Sequence, residues 1–344
     1  MALPDRNSGM RVDGQTEPAA APKASDSDTD APWQALLAAA AQTRAREVAG
    51  EAPLAAIGRS ECGPSVAEGG TLHHPLVWRG ANGWHCVPGT LAGTRDFLEL
   101  YLPLCQPLTG GVRIVGHLGQ SLDGCIATHT GDSRFVTGQD NLQHLHRMRA
   151  LCDAVIVGAG TVAHDDPRLT TRLVPGTHPV RVVLDPERRL DRHYRVFTDG
   201  EAPTLLCCNA GHKGTAAVGQ AEVLELPARA GALNLRALGT ALAKRGLHRL
   251  FVEGGGVTVS GFLRLGLLER LHIAVAPLII GRGRVGVTLP PCDALQQALR
   301  PPCRVYRMGQ DMLYDLDLSA GAESARGRGA TDQFAAPPDI VRVC

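Results

Sequence analysis

VRIVGHLGQSLDG at residues 112–124, VIVGAGTVAHDDPRL at residues 155–169 and PVRVVLD at residues 179–185 decide the fold class of this chain. Each stretch contains a short, largely apolar run that ends abruptly in glycine, serine or aspartate. Short runs bounded by such residues are typical of β-strands. Because open α/β sheets bind small ligands where their strands end, we expect the ligand site at these boundaries.

Around these stretches, strands and helices are predicted to alternate. Apolar residues at helical spacing indicate helices, and short apolar runs followed by turn residues indicate strands. The pattern predicts an α/β domain with a mostly parallel sheet, flanking helices and an antiparallel C-terminal hairpin. The predicted helices cover residues 139–152, 234–246 and 257–271, the further strands cover residues 203–209, 221–226, 248–256 and 272–280, and the hairpin covers residues 304–318.

The hairpin carries an alternation of apolar and acidic residues, which predicts one apolar face and one polar face. The apolar set is Met312, Tyr314, Leu316 and Leu318, and the acidic set is Asp315 and Asp317.

The chain divides into four predicted parts. Residues 1–30 are rich in Ala, Pro, Ser, Asp and Thr and are expected to be disordered. Residues 31–108 are expected to form a small accessory module of unknown role, with two helices and a β-hairpin that turns at Asn82-Gly83. Residues 109–318 form the α/β domain, and residues 319–344 are expected to be a loose tail.

Composition excludes several classes of function. The 35 Lys and Arg nearly balance the 34 Asp and Glu, which gives no field suited to nucleic acid or an anionic membrane. No run of about 18 apolar residues and no signal-peptide pattern is present, so we expect a cytoplasmic protein. The ten cysteines are scattered and are expected to be reduced. We expect no metal site, because the candidate ligands follow no familiar spacing: Cys62, His73, His74, His85 and Cys86.

The first glycine loop, residues 158–163, has the GxGxxA form of a dinucleotide-binding fingerprint. Asp185 follows the next strand about 20 residues later, as a ribose-binding acid does. A Rossmann unit, however, needs a helix that crosses back from the glycines to the next strand. Residues 164–179 contain three prolines and no apolar stripe, so we favour a different α/β arrangement.

The second glycine loop, Glu253-Gly254-Gly255-Gly256, leads directly into a predicted helix. Free N–H groups at a helix start attract phosphate, and glycines let the backbone approach a ligand. A tight strand-to-helix turn is the alternative interpretation of the same residues.

Acidic and basic side chains collect near the predicted strand ends. Any one of the acids is more often a cap, a turn former or a solvated charge. Together with Ser133 and Thr161 they look like the lining of a site. Arg149 and Arg172 are surface residues by default, and phosphate capture is the sharper alternative. The acids of this group are Asp123, Asp165, Asp166, Asp185 and Glu253.

Seven sequence motifs, taken in their order along the chain, resemble those of the reductase domain of the bacterial riboflavin-biosynthesis deaminase-reductase family. They are GQSLDGCIAT, GDSRFVTG, MRALCDAVIVGAGTV, HDDPRLTTR, PVRVVLD, FVEGGG and APLIIG, within about residues 112–318. The resemblance implies a dihydrofolate-reductase-like fold and a homodimer. It also implies reduction by NADPH of 5-amino-6-(5-phosphoribosylamino)uracil, whose ribosylamino group becomes ribitylamino.

The resemblance assigns roles to individual residues. The positions it implies for the cofactor are Gly119, Phe135, Thr161, Asp165 and the stretch 255–261, led by Gly255, Gly256, Val257 and Thr258. The positions it implies for the substrate are Ser133, Arg149, Leu169, Arg172 and Glu253.

Two departures from the family pattern matter. His117 stands where the family commonly has a lysine, which leaves the identity of the substrate open. The HxE and PCxxC motifs of the zinc deaminase half are absent from residues 1–110.

For the reaction we expect Asp123 and Glu253 to orient the sugar or the pyrimidine, and His117 to donate a proton near C1′. Arg149 and Arg172 are expected to hold the substrate phosphate. Arg188 and Arg189 suit the 2′-phosphate of NADPH, with a solvated turn as the alternative.

Two other functions stay open at this level. One is a reductase of a pterin, folate or other heterocycle on the same fold. The other is a non-catalytic dinucleotide-binding regulatory protein, with residues 31–108 as its interaction module.

Overall fold

The computed structural model describes residues 27–49, 75–79, 82–134, 136–211, 217–229 and 232–319. The predicted N-terminal disorder therefore falls outside it, except that residues 27–30 belong to a helix. Nearly all of the predicted C-terminal tail also falls outside it. Phe135 and the metal candidates Cys62, His73 and His74 lie outside the described residues as well.

Seven α-helices are described. Their bounds are α1 Ser27–Val48, α2 Ala92–Cys105, α3 Gln139–Leu151, α4 Ala159–Asp165, α5 Arg195–Thr198, α6 Leu235–Ala243 and α7 Gly256–Arg264.

Sixteen strands are described, several of them very short. Their bounds are β1 Leu76–Trp78, β2 Trp84–Cys86, β3 Arg113–Ser121, β4 Cys125–Ala127, β5 Ala154–Gly158, β6 Val180–Leu184, β7 Thr204–Asn209, β8 Ala217–Val218, β9 Ala221–Leu226, β10 Ala228–Arg229, β11 Ala232–Leu233, β12 Arg249–Glu253, β13 Arg270–Ala276, β14 Arg284–Val285, β15 Cys303–Met308 and β16 Asp311–Asp317.

Ten of these strands form one sheet in the order β15-β16-β13-β3-β12-β5-β6-β7-β9-β8. The strands from β13 to β9 in this order are parallel, whereas β16, β15 and β8 run antiparallel to their neighbours. The predicted fold class, mostly parallel with an antiparallel C-terminal hairpin, is confirmed. β3, β12 and β5 lie side by side, so their carboxyl ends share one edge.

The central strands are buried on both faces, which explains their almost continuous apolar sequence. One face packs through Val115, Val155 and Phe251 against α3 and the N-terminal helices. The other face packs through Ile114 and Ile156 against α6 and α7. No helix among the described residues is both long and apolar enough to cross a membrane.

The predicted accessory module shares a core with the sheet. Trp33, Leu36 and Tyr101 belong to the same buried cluster as Met148 and Leu151 of α3. Most of the apolar surface of α1 and α2 is therefore buried against the rest of the chain.

Polar contacts fix the same module at the amino-terminal edge of the sheet. The buried guanidinium of Arg249 donates from Nη1 and Nη2 to the Glu47 carboxylate, at 2.9 and 2.8 Å. Arg44 pairs with Asp153 at 3.0 Å. We infer that α1, α2 and the α/β sheet fold as one unit.

The first glycine loop differs from its prediction. Residues 159–165 form the short helix α4, where we expected no helix before residue 179. The helix ends because Asp166 adopts a left-handed conformation (φ 39°) and Pro167 follows it. Seven residues do not make the crossover of a Rossmann unit, so the rejection of that unit remains our interpretation.

The hairpin prediction is right in its strands and wrong in its faces. Asp315 is fully buried and shares a face with Leu313, whereas Tyr314 is 39% exposed. Asp315 tolerates burial because Arg270 donates Nε to its Oδ1 at 2.9 Å and Nη2 to Oδ2. These bonds and the neighbouring His272 hold its pKa at about 2, although burial alone would raise it.

Candidate active site

A cleft of about 1650 Å³ opens at the carboxyl ends of β3, β5 and β12. It lies at the sheet edge where the sequence predicted a ligand site. The predicted site residues that line it are His117, Gly119, Ser133, Thr161, Asp165, Glu253, Gly255, Gly256, Val257 and Thr258. The described candidates that do not line it are Asp123, Arg149, Asp166, Leu169, Arg172, Asp185 and Arg188.

The two glycine loops meet at the base of this cleft. A Cβ built on Gly158 would lie 2.6 Å from Thr258 Oγ1, and one built on Gly255 would lie 3.1 Å from Thr161 Oγ1. Glycine is therefore required for the close approach of the loops. Two loops that are separate in sequence form one surface.

The second loop directs the start of α7 into the cleft. Gly254 and Gly255 have φ values of 75° and 44°, which only glycine adopts without strain. A Cβ on Gly256 would lie 2.2 Å from the Gly286 carbonyl oxygen, so this segment is fixed against the backbone near β14. The Thr258 and Val259 N–H groups already donate to the Gly255 carbonyl, at 3.0 and 3.2 Å. The N–H groups of Gly256 and Val257 precede these first helical hydrogen bonds, and such groups favour an anion.

Arg149 and Glu253 form a buried ion pair behind the cleft wall, with side chains 6% and 12% exposed. Arg149 Nε donates to Glu253 Oε2 at 2.8 Å, and Nη2 bonds to Oε1. Its remaining nitrogen, Nη1, donates to the Thr170 carbonyl at 3.1 Å. The guanidinium is thus committed to neighbouring protein groups. We expected Arg149 to bind phosphate directly, and its geometry instead suits orientation of Glu253.

Arg172 and Leu169 lie beside the cleft, on the loop after α4. The exposed Arg172 donates Nη1 to Thr170 Oγ1 at 2.6 Å. Partial burial, then the charges of Arg149 and Arg168, lowers its pKa. Crowded guanidinium groups of this kind favour an anion. Leu169 is 2% exposed and has a φ of 57°, which places it under the loop.

Asp123 holds the chain near β4. Its Oδ1 accepts from the Ser121 hydroxyl at 2.5 Å, and its Oδ2 accepts from the Gly281 amide at 2.6 Å. The Ser121 bond, followed by the Gly281 and Ile280 amides, lowers its pKa to about 2. The structure therefore gives Asp123 a structural role in the 280–281 loop, and we withdraw it as a group that orients the substrate.

His117 lines the cleft and is 3% exposed. Its Nε2 lies 2.9 Å from Asn141 Oδ1, and Asn141 Nδ2 donates to Thr137 Oγ1 at 2.8 Å. His117 Nε2 is consequently the protonated nitrogen. Burial, then the neighbouring His272, lowers its pKa to about 4. Near pH 7 this geometry favours an acceptor at His117 Nδ1, whereas we expected a proton donor.

The low pKa values of His117 and His146 should make the folded protein less stable in acid. His146 accepts the Arg172 amide at Nδ1 (2.8 Å), and burial, then Arg149, lowers its pKa to about 4, as for His117. The unfolded chain, with histidine pKa values near 6.5, binds more protons than the native chain. The free energy of unfolding should therefore keep the whole contribution of these histidines above pH 6.5. It should fall towards pH 4 by up to about 1.4 kcal/mol per pH unit per histidine.

Urea unfolding at several pH values measures this slope. His146→Asn keeps an acceptor and should reduce the slope, whereas His129→Asn at an exposed position should not. A His146→Asn protein with the wild-type slope would contradict the assignment.

Sequence reasoning missed several residues that line the cleft. Their contacts come from loops and helix ends far away in sequence; Arg284 Nη1, for example, lies 3.2 Å from His164 Nε2 across 120 residues. The one sequence signal is the glycine at 286, which permits close backbone approach. The missed cleft residues with charged or polar groups include Arg134, Thr137, Asn141, His164, Arg236, Arg264 and Arg284. Among the residues that the structure describes, no cluster of ligands suits a metal.

Comparison with known sequences places this site in a wider group. Residues 113–313 match the sequence model of the RibD C-terminal domain family. The chain is 36% identical over 212 residues to the 2,5-diamino-6-ribosylamino-4(3H)-pyrimidinone 5′-phosphate reductase of Methanothermobacter thermautotrophicus, which covers 59% of this chain and 96% of that protein. It is 35% identical over 165 residues to RibD of Aquifex aeolicus, covering 48% of this chain and 46% of that relative. The chain thus spans about half the length of the bacterial relative.

Solved structures agree on the fold. The deaminase/5-amino-6-(5-phosphoribosylamino)uracil reductase of Thermotoga maritima superposes with a TM-score of 0.52 and 26% identity, over 65% of this chain and 60% of that one. The riboflavin biosynthesis reductase of Saccharomyces cerevisiae has a TM-score of 0.53 at 18% identity, over 64% of this chain and 97% of that one, and shows likeness of fold. The predicted dihydrofolate-reductase-like fold is confirmed.

Proposed function

This chain belongs to the RibD C-terminal domain family, and we propose that it uses NADPH to reduce 5-amino-6-(5-phosphoribosylamino)uracil in riboflavin biosynthesis. The observation that carries the proposal is the junction of the two glycine loops beside the Glu253 carboxylate, within one cleft. This arrangement offers an anion site at a helix start next to a group that recognises hydroxyl or N–H donors.

The residues present fit a nicotinamide dinucleotide. The cleft is far larger than a single small substrate needs. The start of α7 and the glycines before it suit the diphosphate, since no Cβ blocks the backbone there. Thr161 and Thr258 place hydroxyl groups beside the same glycines. We propose Gly119, Phe135, Asp165 and Val257 as further cofactor contacts, as the family resemblance implies.

The substrate is proposed to lie between Glu253 and the 164–172 loop. Glu253, fixed by Arg149, accepts hydrogen bonds from the sugar or the pyrimidine. Ser133, whose Oγ lies 3.3 Å from Asp165 Oδ1, faces the same space. Arg172 supplies charge for the phosphate at the mouth of the cleft, and Leu169 supports its loop.

The reaction requires the ribose ring to open. The bond from C1′ to the ring oxygen breaks, the exocyclic nitrogen gives its proton to that oxygen, and a C1′=N bond forms. Bound NADPH supplies the hydride that C1′ receives, while the nitrogen takes a proton and NADP⁺ is released. Positioning by Glu253, Arg172 and the glycine loops is the contribution of the protein.

A direct assay tests this function. Purified protein is mixed with NADPH and the phosphoribosylaminouracil, and the loss of reduced cofactor is followed together with the ribitylamino product. We expect stoichiometric product. Turnover of a dihydropterin alone would favour the heterocycle reductase, and tight NADPH binding without any turnover would favour the regulatory protein.

A second pyrimidine deserves the same assay. The archaeal relative, almost fully covered by this chain, is named for reduction of 2,5-diamino-6-ribosylamino-4(3H)-pyrimidinone 5′-phosphate. That compound carries an amino group where the uracil carries an oxygen. The ratio of kcat/KM for the two compounds decides which of them is the substrate.

We predict a preference for NADPH over NADH, because basic residues gather where α6 and α7 border the cleft. Arg236 of α6 and Arg264 of α7 line it there, and Arg189, which follows β6, lines the same cleft. One nitrogen of the Arg236 guanidinium already has a partner, since Nη2 donates to the Leu265 carbonyl at 2.7 Å. Arg264→Met should therefore raise the KM for NADPH about tenfold, the loss of roughly one charge-assisted hydrogen bond, and leave the KM for NADH unchanged.

The matched control is Arg245→Met, which removes an exposed arginine paired with Glu222 outside the cleft. Steady-state kinetics with both cofactors measures the effect. Equal changes for NADPH and NADH in Arg264→Met would contradict a contact with the 2′-phosphate.

We further propose a homodimer in the cytoplasm. The apolar side chains of Val305 and Tyr314 on the C-terminal hairpin are 49% and 39% exposed, and β15 is an edge strand of the sheet. Edge strands with apolar groups favour association. Light scattering of the purified protein measures the mass of the assembly.

A further inference from the structure

A chain of buried polar groups passes beneath the cleft, from the N-terminal module to the C-terminal hairpin. The Tyr101 hydroxyl lies 2.9 Å from His144 Nδ1, and His144 Nε2 lies 3.1 Å from His272 Nδ1. His272 Nε2 lies 3.2 Å from Asp315 Oδ1. All four side chains are at most 1% exposed. Such a run of titratable groups in a core destabilises the folded protein unless every member has a partner.

The carboxylate of Asp315 sets the direction of hydrogen donation along this row of buried polar groups. Asp315 is ionised because Arg270 binds both of its oxygens. A carboxylate oxygen 3.2 Å away favours hydrogen on the facing His272 Nε2, although the two atoms are not aligned as a hydrogen bond. The proposed direction of hydrogen donation has His272 Nδ1 as an acceptor, to which His144 Nε2–H donates. His144 Nδ1 then accepts from the Tyr101 hydroxyl. Each imidazole has a single tautomer, and Tyr101 is the donor that fixes the first one.

The same row of buried polar groups contacts the cleft wall at His117. The ring of His117 lies against that of His144, with centroids 5.5 Å apart, and His117 is the direct neighbour of His272 between β3 and β13. Asn141, which binds His117 Nε2, precedes His144 by about one turn of α3. A change in His144 therefore acts on both the ring and the hydrogen-bond partner of His117.

We propose that Tyr101, a residue of the N-terminal module, is a positioning residue for the cleft: through His144 it holds His117 with Nε2 on Asn141 and Nδ1 as the acceptor offered to the substrate. The module is then part of the site, although none of its described residues lines the cleft. The placement of Tyr101 needs α2 to pack on α3, which the shared core provides.

Tyr101→Phe tests this, because it removes one hydroxyl and keeps the ring that packs against Trp33 and Phe97. The control is Tyr194→Phe, at a half-buried tyrosine beside His193. ¹⁵N spectra of histidine-labelled protein report the tautomers. Wild type and the control should show His144 with Nδ1 as acceptor and Nε2 protonated, and Tyr101→Phe should show a mixture. An unchanged tautomer in Tyr101→Phe would overturn the proposal.

The kinetic arm rests on the proposed function. Tyr101→Phe should lower kcat/KM for the pyrimidine about three- to tenfold, the range expected for one lost hydrogen bond, with no change in the Kd for NADPH. In a His117→Ala background, Tyr101→Phe should lower kcat/KM less than about twofold, because the two residues act through one contact. Additive losses would overturn the proposal. Absence of turnover in wild type would refute the proposed function and leave the spectra to decide the role of Tyr101.

Discussion

Replacement of Arg149 by Met is expected to lower the free energy of unfolding by about 3–5 kcal/mol, because it leaves the Glu253 carboxylate buried without its partner. Arg149 supplies both hydrogen bonds of the pair, and both side chains are almost enclosed. The measurement is chemical denaturation at pH 7.

The matched control is Arg168→Met, which breaks the half-exposed pair with Glu201 on the neighbouring loop. That change should cost no more than about 1 kcal/mol. Similar losses for the two variants would show that the Arg149 pair is not the buried anchor we describe. Glu253→Gln keeps the shape of the side chain, and a folded variant with reduced pyrimidine turnover would separate its part in the reaction from its part in stability.

The second large effect is expected at the start of α7. Gly256→Ala would place a methyl group 2.2 Å from the Gly286 carbonyl oxygen, so the helix start or the segment near β14 must move. Backbone N–H groups displaced from a phosphate each lose a charge-assisted hydrogen bond. We expect the Kd for NADPH to rise about 100-fold, equivalent to about 2.7 kcal/mol. Isothermal titration calorimetry measures this.

Gly239→Ala in α6 provides the comparison, since its methyl group would meet only Val112 Cγ2, at 3.4 Å. It should leave NADPH binding unchanged and be neutral or stabilising, as alanine favours a helix over glycine. Unaltered NADPH affinity in folded Gly256→Ala would contradict the placement of the diphosphate at α7.

Much of the fold follows from local sequence signals. Apolar runs that end in glycine or acid predicted β3, β5, β6 and β12, and their common edge then followed from parallel pairing. The grouping of Thr161, Glu253 and Gly255 in one cleft was predicted by the same reasoning. The turn at Asn82-Gly83 also placed the N-terminal hairpin correctly.

The remaining features depend on partners distant in sequence. Arg149 and Glu253 are 104 residues apart, and nothing local to either shows that they neutralise each other. The alternation pattern predicts Asp315 on a polar face because it carries no information about Arg270. The role of Asp123 was predicted from its place near a predicted strand end, but its bonds to the 280–281 loop arise only in the folded chain.

The most direct test of the account uses NADPH that carries deuterium at the transferable C4 position. The protein is incubated with this cofactor and the phosphoribosylaminopyrimidine, and the product is analysed by mass spectrometry and NMR. We predict one deuterium, bound to C1′ of the ribitylamino chain. Oxidation of the cofactor without label at C1′, or no oxidation with either pyrimidine, would contradict the claim that the glycine loops and Glu253 seat a hydride donor beside a phosphorylated ribosylamine.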